Sequence, residues 1–76
     1  MKLQVLGTGC AKCKALYQNA QEAVAALGLG AEVEKVEDIR ELARLGVMST
    51  PSLAIDGKVR VSGKVASVDE IKKLLA

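Results

Sequence analysis

Apolar and polar residues alternate from Lys2 to Leu6 and the run stops at Gly7, which predicts a short strand. From about residue 11 to residue 27 the period changes. Cys13, Leu16, Tyr17, Ala20, Val24 and Leu27 recur at steps of three and four, forming one apolar stripe of a helix. Lys14, Gln18, Gln21 and Glu22 fall on the wet face. Gly28 and Gly30 then end the helix, as glycine past a C-terminus does. Residues 31–36 suggest a second strand whose alternation slips, and its charges suit a sheet edge better than a centre.

Asp38 is placed to cap a short helix running to about Leu45, with Glu41 three residues on as in a capping box. Ile39, Leu42 and Ala43 are its expected buried face, and Gly46 breaks it. A loop leads into Pro51, the one proline of the chain. Ser52–Ile55 is a third strand, Asp56-Gly57 a hairpin turn, and 58–61 a fourth strand of clean alternation. Ser67 and Glu70 form a second capping box, opening a final helix with Val68, Ile71, Leu74 and Leu75 inward.

The element order βαβαββα predicts an α/β fold. The βαβ start demands two parallel strands joined by a crossover, and the closing hairpin adds an antiparallel pair. The compact solution is a four-stranded mixed sheet with the first and third strands central. The charged second and fourth strands take the edges, and helices cover both faces.

Length sharpens this to a single domain over residues 1–76, close to the lower limit at which one core suffices. Half the residues are hydrophobic, and Tyr17 is the sole aromatic. The formal charge of +2 comes from eleven basic and nine acidic residues with no block of either sign, which leaves nucleic-acid binding without support. The opening Met-Lys-Leu-Gln-Val-Leu is too short for an export segment, and no apolar run approaches the roughly 20 residues of a membrane span. A soluble cytoplasmic protein, monomeric and independent of membranes, is therefore expected.

The chemistry concentrates at two cysteines, Cys10 and Cys13, at the start of the first helix. A disulfide between them would close a loop of only four residues, for about 2 kcal/mol of chain entropy against about 3 for fifteen residues, so they make a poor staple. A thiol at a helix N-terminus faces unpaired N–H groups and the positive end of the dipole, both of which favour thiolate. An unperturbed cysteine of pKa about 8.5 is only about 3% thiolate at pH 7, so such a shift decides its reactivity. Lys12 and Lys14 add positive charge nearby. Two chemistries can use the pair. One is dithiol–disulfide exchange; the other is binding of a soft cation such as Cu(I) by two thiolates. There is no histidine and no third cysteine to complete a zinc site within one chain.

The run Gly7-Thr8-Gly9-Cys10-Ala11-Lys12-Cys13, then Thr50-Pro51 entering Ser52-Leu53-Ala54-Ile55-Asp56-Gly57, and Gly63-Lys64-Val65-Ala66-Ser67 before the last helix, together resemble the thioredoxin superfamily. More narrowly, the chain is similar to minimal thioredoxin- or glutaredoxin-like disulfide oxidoreductases. The resemblance covers essentially the whole chain and implies a thioredoxin-like fold. It implies Cys10 as the attacking thiolate and Cys13 as the resolving thiol, with Gly9, Ala11 and Lys12 supporting them. It also implies a cis bond before Pro51, with Thr50 and Pro51 binding an extended segment of the substrate. Disulfide-bearing proteins and an upstream reductase are the implied partners, and no cofactor or metal is required. The chain departs from typical thioredoxins at Ala11-Lys12 between the cysteines, at Gly9 in place of tryptophan, and at Gln4 where a buried acid is usual.

Two other readings remain. The Gly-Thr-Gly-Cys-x-x-Cys run also resembles the metal loop of copper chaperones, although those domains end in a strand and carry a methionine that is missing here. A non-catalytic module that docks a partner through a thioredoxin-like face is the third.

Overall fold

The strand Lys2–Leu6 (β1) lies in the middle of a four-stranded sheet ordered β2-β1-β3-β4, where β2 is Glu32–Val36, β3 is Ser52–Ile55 and β4 is Lys58–Ser62. A computed structural model of the chain describes residues 1–7, 11–47 and 49–75. Helix α1 (Ala11–Leu27) joins β1 to β2, α2 (Ile39–Arg44) precedes β3, and α3 (Val68–Leu75) follows β4. β1 runs parallel to β2 and antiparallel to β3, and β3 pairs antiparallel with β4. The apolar strands are central and the charged ones form the edges, as the charge pattern predicts.

Alternation along the central strands divides the core between the two faces of the sheet. Leu3 and Val5 of β1 and Leu53 and Ile55 of β3 meet Leu16, Ala20, Ala23 and Val24 of α1 and Ile71 and Leu75 of α3. Leu6 and Ala54 point the other way, joining Val36 and Leu42. Burying a leucine of this kind stabilises by about 1.5–3 kcal/mol, so the larger cluster under α1 and α3 dominates the stability. Asn19 on α1 also donates from its side-chain amide to the Ala66 carbonyl at 2.9 Å, tying α1 to the approach of α3.

β4 differs from its expected alternation. Leu53 pairs with Val61 but Ala54 pairs with Val59, so Arg60 is an extra residue in the ladder. Such a bulge reverses the facing of the strand beyond it. Val61 therefore joins the α1–α3 core while Val59 packs on the α2 face, although the two stand two residues apart.

Two helices also depart from expectation. Leu27, placed on the inner stripe of α1, is 39% exposed, and Ala23 is buried instead. The 17 residues of α1 span about 25 Å, whereas the five of β1 span about 17 Å, so the helix outruns the sheet that would cover its last leucine. On α2, Ile39 is 70% exposed and Ala43 is also exposed; Leu42 is the buried residue. A helix of fewer than two turns lays one side chain on the sheet, and Leu45 and Val47 in the following loop complete the seal.

The caps divide similarly. Ser67 and Glu70 form the reciprocal box, each side chain accepting from the other's backbone N–H at 3.2 Å. At α2 the Asp38 carboxylate accepts from the Arg40 N–H at 2.9 Å, but Glu41 turns to the Arg44 guanidinium rather than back to Asp38, so the expected box is only half made. In the hairpin, Asp56 and Gly57 both have positive φ (51° and 84°), the type I′ geometry that matches strand twist.

Candidate active site

The C-terminal end of β1 is where the fold gathers its chemical groups. Because β2 is parallel to β1 and β3 antiparallel, the end of β2 and the beginning of β3 lie at that same edge. Gly7 follows β1 and donates its N–H to the Val36 carbonyl at 3.0 Å, fixing the chain beside β2 before it enters α1. Cys13 is the third residue of α1 and only 6% exposed.

Gly7 is where three segments converge. A Cβ built on it would overlap the Cys13 sulfur and lie 3.4 Å from the Cys13 Cβ and 3.8 Å from the Thr50 Cβ. No side chain fits in that gap. The approach brings β1, the first turn of α1 and the segment before β3 together, so Cys13 and Thr50 become neighbours across Gly7 although 37 residues apart in sequence (50 − 13).

The Thr50–Pro51 peptide is cis. Pro51 is fully buried while Thr50 is exposed. Two hydrogen bonds hold the turn: the buried Ser52 hydroxyl donates to the Ser49 carbonyl, and the Gly63 N–H donates to the Pro51 carbonyl at 3.0 Å. Thr50 is thus presented to solvent on a braced segment. Ala11 and Lys12 are the exposed first residues of α1. Cys10 and Gly9, the remaining residues singled out in the sequence, lie outside the described residues.

A cavity of about 120 Å³ opens beside Cys13, lined by Val5, Gly7, Cys13, Lys14, Lys35 and Glu37. Sequence reasoning missed Gly7, Lys35 and Glu37 as site residues. The signal that finds them is the strand register, in which Val5 stands opposite Lys35 and Leu6 opposite Val36, so Lys35 is level with Val5 and Glu37, the next residue after Val36, falls beside Gly7. The same register moves Gln4 away from the thiol. It lies between Leu3 and Val5, on the α2 face, where its side chain hydrogen-bonds to Glu34, and the β1 residue beside Cys13 is Val5.

Cys13, in the first turn of a long helix, shares its cavity with the charged residues Lys14, Lys35 and Glu37. The arrangement suits sulfur chemistry in which one partly shielded thiol acts next to an exposed segment of chain. A model of the thioredoxin domain matches residues 1–76.

The chain belongs to the thioredoxin family.

It is 47% identical over 76 residues to a thioredoxin of Methanothermobacter thermautotrophicus, covering 100% of this chain and 99% of that one. To a thioredoxin of Methanocaldococcus jannaschii it is 44% identical over 73 residues, covering 96% of this chain and 84% of the other. The four-stranded mixed sheet with helices on both faces is the thioredoxin-like architecture expected from the sequence, and the function that goes with this family is that of a thiol–disulfide oxidoreductase. Among the described residues, no helix is long and apolar enough to cross a membrane.

Proposed function

We propose that this thioredoxin-family chain reduces disulfides in protein substrates, with Cys10 as nucleophile and Cys13 as resolving thiol. Cys10 thiolate attacks one sulfur of the substrate disulfide and forms a mixed disulfide, releasing the other substrate sulfur as thiolate. Cys13 then attacks the Cys10 sulfur. The bond between Cys10 and the substrate breaks, the Cys10–Cys13 disulfide forms, and the substrate leaves fully reduced. An upstream reductase returns the two electrons.

The observation that carries this reading is the close packing of Cys13 against Gly7, which sets the thiol beside Thr50 and the buried cis-Pro51. A shielded second thiol suits resolution, because it meets the mixed disulfide from within and does not compete for new substrates. Thr50, exposed on its braced turn, offers backbone groups to an extended substrate segment, and main-chain pairing of that kind gives affinity without demanding one sequence. Ala11 and Lys12, exposed between the cysteines, border the same contact. A cytoplasmic location, where thiols are kept reduced, fits a reductant of this kind.

Trapping tests the assignment. A Cys13→Ser variant, unable to resolve, is expected to accumulate a covalent mixed disulfide with protein partners that dithiothreitol releases. A Cys10→Ser variant should trap none and should lose disulfide-reducing activity. Equal partner recovery by both variants without a covalent bond would instead indicate a docking module. Copper co-purifying with the wild type, with no mixed disulfide in either variant, would indicate a metal carrier.

A further inference from the structure

Lys35 of β2 and Tyr17 of α1 make a contact that the exchange mechanism above does not use. The Lys35 ammonium lies 4.6 Å from the centroid of the Tyr17 ring, inside the range of a cation–π interaction. Tyr17 stands four residues after Cys13, one helical turn along the same face of α1. Lys35 projects from the α1 side of β2, opposite Val5, and lines the cavity into which the Cys13 side chain opens. The ring is itself held, half-buried against the α1–α3 core, with its hydroxyl accepting from the Gln21 side-chain amide at 3.1 Å. A lysine on an edge strand ordinarily sweeps solvent on a flexible stem. Here an anchored ring holds the ammonium, and the same lysine lines the thiol cavity.

We propose that Tyr17 is a positioning residue for disulfide exchange: its ring holds the Lys35 ammonium at the cavity beside Cys13, where that charge stabilises the Cys13 thiolate. The proposal rests on the assignment of Cys13 as resolving thiol. Resolution requires Cys13 to lose its proton to water before its sulfur attacks Cys10; the substrate sulfur then departs with the bonding pair and takes up a proton. A positive charge fixed near Cys13 raises the fraction ready to attack. Among the described residues, other charges and the helix end also bear on the same thiol, Lys12 beside it in sequence included. Lys14 and the amino end of α1 act in the same direction as Lys35, and Glu37, across the cavity, acts against them.

The test is titration of Cys13 in a Cys10→Ser background, where it is the one remaining thiol, followed by its ultraviolet thiolate absorbance. Because this readout needs no substrate, it stands apart from the trapping experiment. Lys35→Met is expected to raise the Cys13 pKa by about half a unit to one unit, the size of an exposed charge acting over a short distance. Lys35→Arg should restore most of the shift, and Glu37→Gln should move the pKa the other way. Tyr17→Leu should reproduce part of the Lys35→Met shift, whereas Tyr17→Phe, which keeps the ring, should titrate like the parent. An unchanged titration in Lys35→Met overturns the proposal. So does a Tyr17→Phe shift equal to that of Tyr17→Leu, since the hydroxyl rather than the ring would then be responsible. Should Tyr17→Leu not fold, the Lys35 and Tyr17→Phe variants decide the matter alone.

Discussion

Gly7 and the Cys13 sulfur are packed so closely that a Cβ on residue 7 would overlap Sγ, well inside van der Waals contact. The backbone of the strand end thus forms one wall of the thiol's surroundings. Cys13 has a single rotatable bond with which to withdraw, and its Cβ is already 3.4 Å from the same point. Gly7→Ala should therefore cost about 1–3 kcal/mol of stability by overpacking and displace the sulfur. Urea unfolding reads the first effect. Persistence of the mixed disulfide in single-turnover reduction reads the second, and a variant that matches the parent in both would refute the close packing.

The reciprocal bonds between Ser67 and Glu70 predict that Ser67→Ala loses about 1 kcal/mol, the usual cost of an N-cap hydroxyl. Because α3 supplies Ile71 and Leu75 to the main core, the loss should appear as a lower urea midpoint for the whole chain rather than as local fraying. A midpoint equal to the parent's would show that water replaces the cap.

Acid should weaken the fold through Glu70 and Glu34. The hydrogen bond from Lys64, at 2.7 Å, and then the Ser67 N–H hold the Glu70 carboxyl below the usual carboxylate range. The Lys2 ammonium, at 3.0 Å, does the same for Glu34. The folded chain binds these protons more weakly than the unfolded chain, so this stabilisation is complete above the ordinary carboxylate range and disappears as pH falls through the lowered folded values. Lys2 is raised by its bond to Glu34, so its share is complete below the ordinary lysine range and disappears only as strongly alkaline pH passes the raised folded value. Thermal midpoints followed from neutral to acid pH should fall less steeply in Glu70→Gln than in the parent. Parallel curves would sink the assignment.

Leu42 and Ile39 are both apolar residues of α2 but differ in what covers them. Leu42→Ala should cost about 2–5 kcal/mol, as a buried leucine does. Ile39→Ser, at a side chain 70% exposed, should change stability by no more than about 0.5 kcal/mol. Denaturant midpoints of the two variants compare them directly, and a large loss at Ile39 would mean that α2 lies on the sheet by a different face.

Much of the candidate site is legible in the sequence, because its signals are local. The spacing of Cys10 and Cys13, their position at a helix start, and Thr50-Pro51 before a strand are all read along the chain. Gly7 is legible there only as a strand end, since what it touches arrives from residues 13 and 50. Lys35 and Glu37 read as ordinary solvated charges on and just beyond a poorly alternating strand. Gln4 aligns with a family's acid by counting back from a cysteine, and counting does not reveal which side of a strand a residue faces.

Periodicity, capping residues and glycines determined the seven elements and their order, because these act within a few residues of backbone. Charge on the second and fourth strands determined which were edges, since buried charge is costly wherever the chain runs. The tertiary structure alone decided where α1 outruns the sheet, that a bulge at Arg60 sends Val59 and Val61 to opposite cores, and that Lys35 reaches Tyr17 beside Cys13. Each of these depends on register between segments distant in sequence, and register is set by how whole faces pack rather than by any residue's local preference.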